Sequence, residues 1–364
     1  MTRIDERPDL EVVAAAPRAR PSVSVVIPAY NEAAVITETL TAVCTYMRTI
    51  EETYDWEVIV VDDGSKDDTP ELADSFARTD DHVRVLHHTV NFHIGQALRF
   101  AFNNARGDYI VVLDCDLSYA PDHIGRLLVA AVDTGARVVI ASPYLEGGEV
   151  TAVPWRRKVL SKYANKFLSL TAKGHLSTIT GMVRCYDRRF LQVLNLKAMD
   201  TEINIEIIYK AQLLRARIVE IPAHLDWSYA SRPGTEERRS SIKVSRSTLS
   251  SIFQAFIFRP FMFFIVPGFV LLFLGIYSAL WFVWNVFQYY PDDGNALDTS
   301  IGLAYRHSPQ SFLVAMFAFI VGTQLVCLGI LALQSKRYFE EIFHLGSSIL
   351  RRVTPDDTEP IGSP

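Results

Sequence analysis

An α/β fold, with a mainly parallel sheet flanked by helices and a C-terminal two-helix transmembrane hairpin, is what three features of this 364-residue sequence predict. Short β-branched runs alternate with segments of helical periodicity as far as Ile221, the pattern of a parallel sheet with crossover helices. Acidic residues gather directly after several of those runs, at the carboxyl ends where open α/β sheets take their ligands. Two late stretches, Pro260 to Tyr290 and His307 to Ser335, contain no Asp, Glu, Lys or Arg, and each exceeds the about 20 residues a helix needs to cross a bilayer.

In chain order, Val23 to Ile27 is a β-rich run closed by Pro28, and Val35, Ile36, Leu40, Val43 and Met47 then recur at helical spacing. Glu57 to Val61 is the second strand, followed by the acidic loop Asp62 to Thr69 and a helix opened by Pro70. Val83 to Leu86 is the third. After Asn91 the positions Ile94, Leu98, Ala101 and Phe102 mark another helix. Tyr109 to Leu113 is an apolar run bounded by Gly107, read as a strand buried on both faces. A helix from Pro121 and a fifth strand, Val138 to Ala141, come next. Gly181 to Asp187 and Ile218 to Ile221 complete the strand-like pieces, the latter near a sheet edge, with a helix carrying Glu202, Asn204 and Glu206 between them.

The fourth strand runs into Asp114-Cys-Asp116. Two carboxylates one residue apart repel each other, and a divalent cation removes that cost while leaving coordination positions for diphosphate oxygens. Alone, the pair reads more readily as solvated loop aspartates. Right-handed crossovers, however, bring the loops Pro28 to Glu32, Asp62 to Thr69 and Asp114 to Ser118 to one sheet edge. Asp62 and Asp63 also suit a simple turn and helix start around Gly64.

The predicted organisation is a disordered lead-in over 1–20, a catalytic domain over 21–235, an amphipathic juxtamembrane helix over 236–259, the hairpin over 260–335 and a tail over 336–364. Arg238, Arg239, Lys243, Arg246 and Arg259 precede the hairpin, and Lys336, Arg337, Arg351 and Arg352 follow it. The loop between the spans holds Asp292, Asp293 and Asp298 against one Arg306. By the positive-inside rule both outer ends, and the catalytic domain, face the cytoplasm. No secretory signal peptide is expected, because charges interrupt the N-terminal segment. Cys44, Cys115, Cys185 and Cys327 lie at no metal-ligand spacing and read as reduced core or membrane residues. A net charge of −5 gives no reason to expect nucleic-acid binding. A homo-oligomer through the hairpins is a further expectation.

With Pro28-Ala-Tyr-Asn-Glu32, Asp62-Asp-Gly-Ser65, Asp114-x-Asp116 and a C-terminal hairpin in that order, the chain resembles the glycosyltransferase family 2 enzymes, and among them the polyprenyl-phosphate (dolichyl-phosphate) mannose or glucose synthases. The resemblance implies a GT-A type fold and transfer of a sugar from a nucleotide-sugar, GDP- or UDP-linked, to a polyprenyl phosphate at the membrane. It implies that Pro28, Tyr30 and Glu32 contact the nucleotide base and that Asp62 and Asp63 serve base and ribose. Asp114 lies against diphosphate and metal, and Asp116 ligates the cation, Mg2+ or Mn2+, with Ser118 at the position of a third ligand. Arg157 and Ser161, beside Arg156, match the segment that holds the acceptor phosphate, and Arg232 an arginine that closes over the diphosphate.

Three departures stand out. Ser118 replaces the family's usual Gln and is a weaker ligand; Ser142-Pro143-Tyr144 lacks the usual central arginine, whose charge Arg156 or Lys158 is expected to supply. His93 replaces a glycine, and its apolar neighbours Phe92 and Ile94 favour a surface or packed histidine. A processive polysaccharide synthase is the nearest alternative, but its Gln-x-x-Arg-Trp signature is matched only by Gln334-x-x-Arg337-Tyr338, beyond the second span. A nucleotide-dependent oxidoreductase would need a Gly-rich first turn, which Pro28 to Glu32 lacks. A catalytically silent nucleotide-binding scaffold is the remaining alternative, and intact Asp114, Asp116, Arg157 and Arg232 argue against it.

Overall fold

The computed structural model describes residues 20–152, 176–228, 260–289 and 297–353. Alternation of strand and helix is realised from the first residues: β1 (Ser22–Ala29), α1 (Ile36–Thr49), β2 (Asp55–Asp62), α2 (Thr69–Ala77), β3 (Val83–His87), α3 (Ile94–Asn104), β4 (Tyr109–Val112), α4 (Asp122–Thr134) and β5 (Val138–Ser142). Then follow β6 (Glu149–Thr151), β7 (Arg184–Asp187), α5 (Arg188–Val193), α6 (Ile203–Leu213), β8 (Ile218–Pro222) and β9 (His224–Asp226).

Among the described residues the main sheet has the order β3-β2-β1-β4-β7-β5-β8. Every pairing in it is parallel except those of β7, which runs antiparallel between β4 and β5. The sheet is therefore mainly parallel, with Ile218–Pro222 at one edge as expected. The reversal at β7 and the small parallel pair β6-β9 are additions to the expected pattern. A four-residue strand whose partners lie about 45 to 75 residues earlier leaves no periodic signature of its direction in the sequence.

The residues of β1 divide the core between the two faces, as successive strand side chains must. Val25 and Ile27 pack with α1, α2 and α4 on one side. Val26 joins Ile59, Ile110 and Val112 against α3, α5 and α6 on the other. Parallel register fixes the functional edge: Ala29 lies opposite Asp62, and Asp62 opposite His87. Val26 accepts the Leu113 N–H at 3.0 Å, so the residues following β4 emerge beside those following β1.

The opposite edge is tied by Glu57. It accepts the Ser24 hydroxyl at 2.6 Å, the Arg106 N–H at 2.8 Å and two Arg84 N–H groups at 3.0 and 2.8 Å. Arg184, an unexpected arginine in the core, is fully buried and donates to the carbonyls of Gly181 and Asn204 at 2.7 and 3.0 Å, and also to that of Ile179.

The hairpin comprises α7 (Pro260–Gln288) and α9 (Pro309–Val353), with α8 (Leu297–His307) between them. Phe263–Gln288 and Pro309–Ile342 are long and apolar enough to cross a membrane, each with mean hydropathy 2.3 and an outward-facing apolar surface. The connection carries a helix where only a loop was expected, and α9 continues past residue 335, the predicted end of the hairpin. Gln334 donates to the Tyr338 hydroxyl one turn along at 3.2 Å, a local use of the residues that superficially matched the processive-synthase signature. Phe263 packs on the hydrophobic core of the sheet and Tyr209 of α6 stacks on Phe339 of α9, so the hairpin is seated on the sheet domain. The predicted juxtamembrane helix over 236–259 lies outside the described residues.

Candidate active site

The edge where β1, β2 and β4 end encloses a cleft of about 1000 Å³. The β1 loop contributes Pro28, Tyr30 and Glu32; Tyr30 is exposed and Glu32 buried. Positive φ at Asn31 (55°), a residue type that tolerates the left-handed region, turns this loop back onto the next. Asn31 and Glu32 donate their N–H groups to Ser65 Oγ at 3.0 Å and Thr69 Oγ1 at 2.8 Å, and Lys66 N–H returns a bond to Asn31 Oδ1 at 2.8 Å. The two loops are thus one hydrogen-bonded unit.

Asp62 and Asp63, adjacent in sequence, have different surroundings. Asp62 is buried and lies off the cleft wall, accepting the Ser65 N–H at 3.0 Å and contacting His87 Nδ1 at 3.1 Å. That is the turn-forming arrangement open to an aspartate here. Asp63 lines the cleft and is anchored by His88 Nδ1 at 2.7 Å and the Phe92 N–H at 3.0 Å. Between them and Asn91, Gly64 has φ +67°, and a Cβ on it would stand 2.4 Å from the Val90 carbonyl carbon. The close approach of the β2 and β3 loops requires glycine there.

Asp114 and Asp116 face the same cleft, half-buried. Leu117, at φ 54°, turns the chain so that the Ser118 N–H reaches Asp116 Oδ1 at 3.0 Å. Burial, and then the negative charge of Asp116, push the Asp114 carboxyl up to about 7 against an opposing hydrogen bond from Ser118. Ser118 itself is buried, bonded toward Asp114 and absent from the cleft wall. The Thr39 hydroxyl of α1 holds the loop through the Cys115 carbonyl at 2.6 Å.

This donor set fits a divalent cation: two hard carboxylates held together at a cost that positive charge relieves. Among the described residues no three His, Cys, Asp or Glu side chains converge on a metal position. The described residues therefore offer a pair, to which substrate oxygens and water would add ligands, as is usual for Mg2+.

Asn31, Lys66, Asp67, Asn91 and Met182 also line the cleft. The sequence held a signal for some of these, since Lys66 and Asp67 sit in the flagged acidic loop, but none for Met182. Arg156, Arg157, Lys158, Ser161 and Arg232, expected around acceptor phosphate and diphosphate, lie outside the described residues.

The model for glycosyl transferase family 2 matches residues 24–194. The polyprenol monophosphomannose synthase of Mycolicibacterium smegmatis is 36% identical over 198 residues, spanning 52% of this chain and 74% of that protein. The undecaprenyl-phosphate 4-deoxy-4-formamido-L-arabinose transferase of Enterobacter is 26% identical over 324 residues, 88% of this chain and 90% of that one. Among solved structures, the mannosyltransferase PcManGT of Pyrobaculum calidifontis in complex with GDP-mannose and Mn2+ has a TM-score of 0.44 at 19% identity, covering 91% and 87% of the two chains. With the ordered motifs on one sheet edge and this level of identity over most of a relative's length, the chain belongs to glycosyl transferase family 2 and is a glycosyltransferase.

Proposed function

We propose that this membrane protein transfers a single sugar from a nucleotide-sugar to a polyprenyl phosphate, giving a lipid-phosphate-linked monosaccharide on the cytoplasmic face. The observation that carries the reading is the convergence of Tyr30, Asp63, Asp114 and Asp116 on one cleft, in a domain seated on two helices able to cross a bilayer. The relatives named for polyprenol and undecaprenyl-phosphate substrates support it.

In this reading Pro28, Tyr30, Glu32 and Asp63 hold base and ribose, while Asp62 fixes the turn that aims Asp63. Asp114 and Asp116 hold a divalent cation, Mg2+ or Mn2+, which when bound neutralises charge developing on the nucleoside diphosphate leaving group. Arg156, Arg157 and Ser161 orient the acceptor phosphate, and Arg232 closes over the diphosphate. A phosphate monoester has its second pKa near 6, so a large share of the acceptor is already dianionic at neutral pH. No protein base is required, and positioning with charge stabilisation carries the step. One direct displacement inverts the anomeric centre.

The test is to incubate membranes containing the full chain with a panel of radiolabelled GDP- and UDP-sugars and a polyprenyl phosphate. The reading expects label in a mild-acid-labile lipid from one donor class. Label appearing only in polymer or in a water-soluble acceptor would overturn it.

A further inference from the structure

His93 occupies a backbone conformation that a histidine adopts only at a cost. Its φ of 69° and ψ of 163° fall in a region populated almost only by glycine, where another residue costs about 1–3 kcal/mol and persists because its surroundings over-determine it. Those surroundings are visible. The preceding Phe92 N–H is held by Asp63 at 3.0 Å, the His93 N–H by Asn91 Oδ1 at 3.0 Å, and the His93 carbonyl accepts the Gln96 and Ala97 N–H groups, both at 3.1 Å, to start α3.

The side chain gains nothing from the fold in return. It is exposed, lines the cleft, and among the described residues has no hydrogen-bond, ion-pair or ring partner. Glycine would satisfy the backbone more cheaply. The cleft supplies the missing use. Its described lining carries five carboxylates, on Glu32, Asp63, Asp67, Asp114 and Asp116, and only Lys66 and His93 as side chains able to carry positive charge. A nucleoside diphosphate entering so acidic a cleft needs donors on the wall as well as a cation between the aspartates.

Resting on the function proposed above, the geometry points to His93 as a ligand of the donor's diphosphate, its imidazole N–H donating to a phosphoryl oxygen. The expected packed or surface histidine thereby becomes a substrate-binding residue, with backbone strain accepted in exchange for affinity.

The test uses the full chain in detergent micelles, measuring thermal unfolding and calorimetric binding of GDP and of UDP, each with Mn2+. His93→Gly is expected to unfold at the same or a higher temperature than wild type while its diphosphate affinity falls about tenfold or more, the size of a lost charge-assisted hydrogen bond. His93→Asn, which keeps a side-chain N–H donor at a backbone cost like that of histidine, is expected to recover part of that affinity. Unchanged affinity in both variants, or a His93→Gly protein that unfolds at lower temperature, would overturn the assignment of His93 alone. A wild type that binds neither diphosphate would remove the functional reading and this inference with it.

Discussion

The Thr39 hydroxyl donates to the Cys115 carbonyl across 2.6 Å, both groups buried, tying the first turn of α1 to the residue between Asp114 and Asp116. The bond converts helix packing into carboxylate placement. Thr39→Val keeps the shape and removes the donor, leaving the carbonyl unsatisfied at a cost of about 1–3 kcal/mol. The account expects a matching fall in stability and a raised Mn2+ concentration for half-maximal transfer, read from metal titration of activity after treatment with EDTA.

Gly64 sets how closely the β2 and β3 loops approach. With φ +67° and a Cβ only 2.4 Å from the Val90 carbonyl carbon, Gly64→Ala combines left-handed strain with a backbone clash. Destabilisation by more than about 2 kcal/mol is expected in chemical denaturation. Donor affinity falls too, because Asp63 is fixed by the same loops.

His87 gives the fold a pH dependence of known sign. Burial alone would lower its pKa, but the hydrogen bonds and charges of Asp62 and Asp74, at 3.1 and 3.2 Å, outweigh that and raise it above 6.5. Only imidazolium donates from both ring nitrogens at once. The folded-state pKa being raised, this stabilisation is complete below about 6.5 and is lost as pH rises through the higher folded value. The thermal midpoint should therefore fall between pH 6 and 8, and His87→Gln should flatten that part of the profile.

Glu57 acts in the other direction. Burial raises its pKa, and bonds from Ser24, Arg106 and Arg84 outweigh burial, leaving it lowered. Its contribution is present above about 4.5 and is lost as pH falls through the folded value. Glu57→Gln should cost about 1.5–3 kcal/mol at neutral pH and reduce the acid sensitivity of unfolding.

Much of this molecule was legible in its sequence because local chemistry and global topology agree. Val23 to Ile27, Glu57 to Val61 and Tyr109 to Leu113 read as strands, and parallel topology alone brings their following loops together. Asp63, Asp114 and Asp116 could accordingly be placed at one edge. What failed to read was non-local. The reversal of Arg184–Asp187 depends on which strands lie beside it. That Asp63 lines the cleft while Asp62 turns toward Ser65 and His87 depends on where β3 ends. His93 is exposed, as the surface reading has it, but its positive φ, with Asp63 holding the Phe92 N–H and Asn91 the His93 N–H, has no local signal in the sequence.

The central claim is that Asp114 and Asp116 serve metal-dependent sugar transfer to a lipid phosphate. Its most direct measurement compares wild type and Asp116→Ala in membranes of matched expression, following labelled sugar from nucleotide-sugar into polyprenyl phosphate with Mn2+ present and after chelation. The account predicts a labelled lipid product from wild type that disappears with EDTA and returns with Mn2+, and at least about a hundredfold loss in the variant. Undiminished lipid labelling by Asp116→Ala would contradict it.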